Sequence, residues 1–409
     1  MATLRAFRAL RPTPAAAARI AEVPYDVVTT DEARALADGN PLSFLRVSRA
    51  EIELEAGADP YATAVYERAA RNFEALRKTS LVVEGEASLY FYRLRQNGHE
   101  QTGLAGCFSI DEYNRDVIRK HERTRADKED DRTRHMMALG AQTGPVFLTY
   151  RASAGINQVA AAVTAGAPLM EFTAADAVTH AIWRVGGAEK DRLIGLVGEI
   201  GALYIADGHH RAASAARAWA ERRGRQPGTP PGDGADASTF LAVAFPSDRV
   251  QILPYNRVVK DLGGLTTDEF RQAVSQRFDI VTGPAAPACR GQIAMYLEGR
   301  WNTLRPRVAP DRGDPIASLD VSVLQDQILA PVLKIADVRT DKRIDFVGGA
   351  RGTAELERQV DQGRAAVAFS LYPVSVEDLM AVSDAGAIMP PKSTWFEPKL
   401  RDGLLIHLI

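Results

Sequence analysis

The strongest structural pattern in this sequence lies in one segment, Leu203-Tyr204-Ile205-Ala206-Asp207-Gly208-His209-His210-Arg211-Ala212-Ala213-Ser214-Ala215-Ala216-Arg217. Apolar strand formers make up its first part, and alanine with other helix formers makes up its last part. The polar and glycine residues between the two parts are typical of a turn. The segment therefore predicts a strand, a turn over 207–211 and a helix that begins at this turn.

The polar turn has the features of an anion-binding site. Gly208 permits a sharp turn, and the first N–H groups of a helix lack partners within that helix. The positive end of the helix dipole adds to the charge of Arg211, so His209, His210 and Arg211 could bind phosphate oxygens. The alternative is an ordinary helix cap, in which Asp207 accepts from backbone donors and both histidines face water.

Composition limits the classes of function. The 409 residues are 46% hydrophobic and 25% charged, with a net charge of -2, so several cores can form and no general attraction to nucleic acid or an anionic membrane is expected. No apolar run approaches about 18 residues, and the N-terminus lacks the apolar core of a signal peptide. Cys107 and Cys289 are far apart and form neither a CxxC pair nor a disulfide framework. We therefore expect a cytoplasmic protein without structural zinc.

Periodicity and turn residues predict a mixed α/β chain in three regions: a mixed N-terminal region over 1–110, a central unit over 111–260 and a C-terminal α/β unit over 261–409. Before the polar turn we predict helices over 30–36, 61–78 and 190–200, strands over 43–47, 146–150 and 180–184, and a hairpin over 88–110 around Asn97-Gly98. After it we predict a flexible loop over 222–237, a strand over 239–245, helices over 267–278 and 321–335, a hairpin over 293–304, and a strand-helix-strand-helix crossover unit over 344–385.

A second polar cluster, over 120–135, contains six Lys or Arg and five Asp or Glu residues. Charges of both signs three or four residues apart are typical of a solvated helix with internal ion pairs. The functional alternative makes Glu122 a base, uses Lys128 and Arg132 to neutralise phosphate and lets the acidic group hold a divalent metal. The number of charges does not decide between these interpretations.

Two later loops are weaker candidates. Gly348-Gly349 with Arg351-Gly352 follows a predicted strand but lacks the GxxxxGK[ST] pattern of a phosphate loop. In the segment over 389–399, Pro390-Pro391 stiffens a loop that presents Lys392, Ser393 and Thr394. This loop either closes over a polar ligand or is a stiff surface loop packed by Trp395.

Several motifs together resemble one family, the domain of unknown function 1015, over nearly the whole chain. The motifs are Val23-Pro24-Tyr25-Asp26-Val27, His121-Glu122-Arg123-Thr124 with Lys128 and Asp131-Arg132, Gln142-Thr143-Gly144-Pro145, Asp207-Gly208-His209-His210-Arg211 and Met389-Pro390-Pro391-Lys392-Ser393-Thr394. The His-Glu pair followed by Asp-Gly-His-His-Arg is also similar to free-serine kinases with a ParB/sulfiredoxin-like fold. The resemblance implies that the central unit, over 111–260, has the ParB/sulfiredoxin-like fold and is a phosphate-binding catalytic unit.

The resemblance also implies roles for individual residues. Glu122 would be the base for the serine hydroxyl, and the polar turn would bind the transferred phosphoryl group. The expected catalytic residues are Glu122, Asp207 and His210. The expected phosphate- or substrate-binding residues are His121, Thr124, Lys128, Arg132, Gly208, His209, Arg211, Lys392, Ser393 and Thr394, whereas no residue is assigned to a metal.

The expected activity is transfer of a phosphoryl group to free L-serine, which gives O-phosphoserine. Some members of the domain of unknown function 1015 family are pyrophosphate-dependent serine kinases. The chain lacks a Walker loop and a kinase Gly-rich loop, so pyrophosphate is a candidate donor, with ATP and ADP as the other candidates. Mg²⁺ is expected on the donor oxygens, and neither nucleic acid nor membrane is an expected partner. The alternatives are a nucleotide-binding ParB-like regulator without catalysis and a hydrolase of phosphate esters or pyrophosphate.

Overall fold

The computed structural model describes residues 2–55, 57–225 and 238–409. The chain forms two compact units, Met1–Val250 with Pro398–Ile409 (unit 1) and Gln251–Glu397 (unit 2). The predicted loop over 222–237 is helical up to Arg225, and its remainder lies outside the described residues. Within the described part of the chain, no helix is long and apolar enough to cross a membrane.

Unit 1 combines helices and strands throughout its length. Its helices are α1 (Ala17–Ile20), α2 (Thr30–Ala37), α3 (Leu45–Ser48), α4 (Thr63–Thr79), α5 (Ile110–Asn114), α6 (Ala126–Leu139), α7 (Ala154–Thr164), α8 (Gly187–Gly198) and α9 (His209–Arg225). Its strands up to Val250 are β1 (Leu4–Arg5), β2 (Leu10–Pro12), β3 (Leu81–Val83), β4 (Leu89–Gln96), β5 (His99–Ser109), β6 (Ile118–Arg119), β7 (Ala141–Gln142), β8 (Val146–Tyr150), β9 (Met170–Thr173), β10 (Thr179–Val185), β11 (Leu203–Asp207) and β12 (Thr239–Pro246).

The main sheet of unit 1 has the strand order β6-β11-β8-β12-β5-β4-β10-β9, and β1 also pairs with β5. Strands β6 and β11 are parallel, as are β8 and β12, whereas the other pairs in this order are antiparallel. Because parallel strands end at the same edge of a sheet, the residues after β6 lie beside the residues after β11. This pairing joins the two predicted polar segments.

Local sequence explains several of these elements. The hairpin of β4 and β5 turns at Asn97 and Gly98, whose φ angles of 51° and 80° fit the predicted two-residue turn. Thr29 and Glu32 form a capping box at the start of α2. The strand predicted over 43–47 is wrong, because this stretch turns into α3, whose Leu45, Val47 and neighbours are buried against helices of unit 1.

Unit 2 has a sheet of antiparallel neighbours with the order β15-β17-β16-β19-β14-β18. Its strands are β13 (Ile252–Leu253), β14 (Tyr255–Val259), β15 (Phe278–Thr282), β16 (Ile293–Leu297), β17 (Arg300–Pro306), β18 (Ile344–Gly348), β19 (Val367–Leu371) and β20 (Trp395–Phe396). Its helices are α10 (Thr267–Ser275), α11 (Asp320–Leu324), α12 (Ala354–Asp361) and α13 (Val376–Asp384), and the last strand of the chain, β21 (His407–Leu408), returns to unit 1.

The predicted crossover in unit 2 is confirmed, and its two parallel strands are separated in the sheet by one antiparallel strand, β14. Strands β18 and β19 both pair antiparallel with β14, so they run parallel to each other and are connected by α12. The helix predicted over 321–335 is shorter than expected. It continues from α11 into a π-helical turn, Gln325–Leu329, and stops before Pro331, which cannot donate a helical hydrogen bond.

The predicted fold class, mixed α/β, is confirmed by these elements. The predicted regions 1–110 and 111–260 share one sheet, because β4 and β5 pair with β10 and β12. The predicted boundary after residue 260 lies inside unit 2, just beyond β14. Residues 398–409 return to unit 1, where they contribute side chains to the site described next.

Candidate active site

The predicted strand, turn and helix are present as β11, Gly208 and α9. Gly208 has a φ of 92°, and a Cβ atom at this position would lie 2.8 Å from Nε of Arg211. The Oδ1 atom of Asp207 accepts a hydrogen bond from the Gly208 N–H at 2.9 Å. Asp207 therefore caps the turn as the simpler alternative proposed, but His209 is buried and His210 is half-buried, so neither histidine simply faces water.

His121, Glu122 and His209 meet where β6 and β11 end. Each offers a ligand atom, and these atoms lie within 4.8 Å of one another. The backbone N–H of His121 donates to Nε2 of His209 at 3.4 Å, so Nδ1 carries the proton of neutral His209. This Nδ1 atom lies 3.9 Å from the Glu122 carboxylate. The sequence pattern predicted both motifs, and the pairing of the two strands brings them together.

Both histidines of this cluster are neutral near pH 7. Burial lowers the pKa of His121 to about 4, although a backbone hydrogen bond and Asp207 act in the opposite direction. Burial, followed by the effect of His121, holds the pKa of His209 well below its ordinary value. Neutral imidazoles can accept hydrogen bonds or bind a metal, whereas they add no full positive charge to a phosphate site.

Asp207 balances the positive charges around the turn. Its Oδ2 atom lies 3.1 Å from Nζ of Lys399 and 3.6 Å from the guanidinium of Arg211. Burial favours the neutral acid, but the charges of Lys399 and Arg211 outweigh it, so the pKa of Asp207 lies below its ordinary value. Asp207 is thus an ionised carboxylate that holds two cations near the start of α9.

The segment between β6 and α6 is tied to the start of α9. Nε2 of His210 accepts a hydrogen bond from the Arg125 N–H at 3.1 Å. The Thr124 hydroxyl donates to the carboxylate of Glu129 in α6. These bonds give predicted residues Thr124 and His210 clear structural contacts, and they fix the segment that carries Glu122.

The two basic residues predicted to neutralise phosphate, Lys128 and Arg132, both contact other parts of unit 1. Lys128 donates to the Tyr61 hydroxyl at 2.9 Å. Arg132 donates to Asp131 at 2.9 Å and to the carbonyl of Ser48 at 3.2 Å, and its guanidinium lies 4.1 Å from the ring centre of Tyr25. Many charged groups of α6 are therefore paired with other parts of unit 1 rather than along the helix alone.

Lys392, Ser393 and Thr394 belong to unit 2, so their predicted role at the phosphate site stays a prediction. Within unit 2 their loop is held by buried Arg257, which donates to the carbonyl of Lys392 at 2.9 Å. Ser393 donates to the carbonyl of Pro390 at 2.6 Å. Burial lowers the pKa of Arg257 to about 9.

Among the residues that the structure describes, one cluster could hold a metal, and it consists of His121, Glu122 and His209. Two imidazoles and one carboxylate suit Zn²⁺ or another transition metal better than Mg²⁺, which prefers oxygen ligands and keeps several waters. The donor set thus does not fit Mg²⁺ as an ion held by the protein.

Sequence reasoning assigned no role to Lys399 or Asp402. Lys399 is 192 residues from its partner Asp207. Asp402 is buried, and it lines a small cavity of about 40 Å³ together with Arg132 and Arg211. No local pattern could have found these residues, because only the return of residues 398–409 to unit 1 brings them to the site.

The fold and these contacts define a mixed α/β protein with a polar site at the start of a helix. The chain belongs to the family described as protein of unknown function (DUF1015), whose sequence model matches residues 4–322. No curated protein matches this chain.

Several solved structures are similar to this chain. One is a free serine kinase in complex with AMP, at 14% identity over 73% of this chain and 92% of that chain, with a TM-score of 0.37. A conserved hypothetical protein from Pyrococcus furiosus has 14% identity over 74% and 95%, with a TM-score of 0.37. SbnI with C-terminal truncation from Staphylococcus aureus has 13% identity over 74% and 87%, with a TM-score of 0.40. At these TM-scores the similarities carry no argument about activity.

Proposed function

We propose that the chain is a phosphotransferase that moves a phosphoryl group from pyrophosphate to the hydroxyl of free L-serine. The observation that carries the proposal is the half-buried Glu122 carboxylate, 3.9 Å from Nδ1 of His209 at the first residue of α9. A carboxylate beside the N-terminus of a helix offers a proton acceptor next to a site suited to a phosphate group.

In this proposal the serine oxygen attacks the terminal phosphorus of the donor and its proton passes to Glu122. The bond from this phosphorus to the bridging oxygen breaks, and inorganic phosphate leaves. Backbone N–H groups at the start of α9, with His210 and Arg211, hold the transferred group. Asp207 positions Arg211 and Lys399, and positioning with charge stabilisation is what phosphoryl transfer chiefly requires.

The donor and the metal are proposed on chemical grounds. Pyrophosphate is preferred because of the family resemblance, and ATP and ADP are the competing donors. Mg²⁺ is proposed as part of the donor, bound to its oxygens, which is the usual way this ion binds at phosphoryl-transfer sites. Lys128, Arg132, His121, Thr124 and the loop residues Lys392, Ser393 and Thr394 are proposed as further substrate contacts.

The test is a phosphorus NMR assay of the purified full chain with Mg²⁺ and L-serine. Pyrophosphate, ATP and ADP are supplied in parallel, and O-phosphoserine is expected with pyrophosphate. Glu122→Gln should abolish this signal, whereas Glu189→Gln makes the same change on the exposed face of α8 and should not.

Other outcomes identify the competing functions. Absence of O-phosphoserine with every donor would overturn the serine assignment. Phosphate release that is independent of serine would identify a hydrolase. Nucleotide binding without turnover, together with retention on DNA at low salt, would favour the regulator.

A further inference from the structure

A small cavity with both polar and apolar residues in its wall lies next to the polar turn in unit 1. Its volume of about 40 Å³ leaves room for about three water-sized groups. Arg211 belongs to both the turn and the cavity wall, which also includes Ser48, Arg132 and Asp402. The cavity is therefore a direct extension of the candidate active site.

Three buried polar atoms on the cavity wall have no hydrogen-bond partner among the described residues. They are Oγ of Ser48, Nε of Arg211 and Oδ1 of Asp402. These residues are 3%, 9% and 3% exposed, so their open atoms are not simply satisfied by bulk water. Buried donors and acceptors are rarely left unsatisfied because the loss of their hydrogen bonds to water is costly, which indicates that a polar group fills this space.

The charges of these residues narrow the choice of ligand. A simple anion could accept from Nε of Arg211 but could not donate to Oδ1 of an ionised Asp402, and a simple cation could not accept from Nε of Arg211. A ligand with both charges satisfies both residues. We propose that the cavity binds the head group of an α-amino acid, with Asp402 accepting from its ammonium and Nε of Arg211 donating to its carboxylate.

Two glycines leave room for two of the charged side chains of the cavity wall. A Cβ atom at Gly144 would overlap the Asp402 carboxylate, and one at Gly208 would crowd the Arg211 guanidinium. The carbonyl of Pro145 accepts a hydrogen bond from Arg211 and so fixes the orientation of its side chain. The two glycines thus leave room for Arg211 and Asp402 in their positions at the cavity wall.

This inference rests on the proposed function for the identity of the amino acid as the acceptor L-serine. Its test is calorimetric binding without any phosphoryl donor, so it does not depend on turnover. The wild-type chain is titrated at about pH 8, where Asp402 is mostly ionised although burial raises its pKa to about 7. The ligands are L-serine, glycerate, which lacks the ammonium, and ethanolamine, which lacks the carboxylate. We expect L-serine to bind at least about tenfold more tightly than either analogue, because glycerate offers no ammonium to Asp402 and ethanolamine offers no carboxylate to Nε of Arg211.

Variants assign the contacts. Asp402→Asn should reduce the preference for L-serine over glycerate at least about tenfold, since it removes the charge that recognises the ammonium. Asp191→Asn makes the same change on an exposed part of α8 and should retain the preference. Ser48→Ala is the milder second variant, expected to weaken L-serine binding about threefold to tenfold through loss of one hydrogen bond.

The outcomes separate this inference from the proposed function. Equal binding of all three ligands, no measurable binding of L-serine, or an unchanged preference in folded Asp402→Asn would each overturn the inference and leave the cavity to ordered water. If Asp402→Asn does not fold, the wild-type series and Ser48→Ala decide. Selective L-serine binding without O-phosphoserine formation would retain the inference and reject the kinase, whereas transfer with an unchanged preference in Asp402→Asn would do the reverse.

Discussion

Each unit has a turn in which glycine follows a strand, and the two turns use glycine differently. In unit 1, Gly208 has a φ of 92°, leads into the long helix α9 and leaves room for the Arg211 guanidinium. In unit 2, Gly348 has a φ of -62° and leads into a short 3-10 helix, Gly349–Arg351. A Cβ atom at Gly348 would overlap the ring of Trp395.

The difference shows what distinguishes a candidate ligand site from a packing turn. The first glycine accommodates a buried charge next to other polar groups, whereas the second accommodates an aromatic ring. Both sequences, Asp207-Gly208 and Gly348-Gly349, would attract a search for phosphate loops. Only the surroundings distinguish them, because a glycine or a helix terminus alone does not make a site.

The largest expected effect concerns Glu122. Glu122→Gln keeps the size of the side chain but removes its ability to accept a proton at neutral pH. We expect kcat for phosphoryl transfer to fall by about 10³-fold or more, which is typical of the loss of a general base. Steady-state kinetics with L-serine will measure this effect, and Glu189→Gln is the matched control. Full activity in Glu122→Gln would remove Glu122 from the mechanism and weaken the contrast between the turns.

His210→Ala is expected to have the next largest effect. It removes the acceptor for the Arg125 N–H, which holds the segment that carries Glu122 against α9. We expect a loss of about 10²-fold or more in kcat with an intact fold, measured by kinetics and circular dichroism. His210→Gln retains an acceptor and should recover part of the activity. Full activity in His210→Ala would show that this anchor is not needed.

Much of the fold follows from local sequence. The β11–α9 turn, the Asn97-Gly98 hairpin and the capped helix α2 depend on turn residues and caps within a few positions, and all three were predicted. The stretch over 43–47 was predicted as a strand because its apolar residues fit either element. Its burial on several sides in α3 depends on distant helices, which local periodicity does not report.

The site was predictable only in part. His121, Glu122 and the polar turn carry local motifs, although the parallel pairing of β6 and β11 that joins them was not apparent from the sequence. Lys399 and Asp402 reach the site through a chain return after all of unit 2. Their partners are fixed by tertiary structure, so composition and spacing give no signal for them.

The two units should also respond differently to acid. All seven histidines of the chain lie in unit 1 and none lies in unit 2. Burial lowers the pKa of His121 and His135 to about 4 and holds the pKa of His180 and His209 well below the ordinary value. In the unfolded chain the histidines take up a proton near pH 6.5, whereas in the folded chain these four histidines stay neutral to lower pH. Their stabilising effect is therefore present above pH 6.5 and is lost as the pH falls towards 4.

Two buried carboxyl groups act in the opposite direction. Burial raises the pKa of Asp402 in unit 1 to about 7 and that of Asp320 in unit 2 to about 6. Because these folded-state values exceed the unfolded value, the carboxyl groups add stability as the pH falls through them. In unit 1 this gain opposes four histidines, whereas in unit 2 no histidine opposes it.

We therefore predict that lowering the pH from 7 to 5.5 destabilises unit 1 by about 4 kcal/mol relative to unit 2. Hydrogen exchange of peptides from β11 and β12, compared with β16 and β19 after correction for intrinsic rates, will measure the difference. His135→Gln keeps a donor for the Val47 carbonyl but cannot titrate, so it should reduce the loss by about 1 kcal/mol. Equal acid sensitivity in the two units would contradict the claim that the buried histidines make unit 1 less stable than unit 2 in acid.

The smallest expected effect tests the two glycines directly. Gly208→Ala forces an alanine into a positive φ and crowds Arg211, so we expect a loss of about 1–2 kcal/mol in stability and about tenfold in kcat. Gly348→Ala has no such backbone strain, but it crowds Trp395 and should cost about 1–2 kcal/mol in stability with kcat nearly unchanged. Thermal unfolding and kinetics on both variants separate the loss of stability from the loss of kcat. An equal loss of kcat in Gly348→Ala would mean that its turn serves the reaction as well, and an unchanged kcat in Gly208→Ala would mean that the position of Arg211 does not limit it.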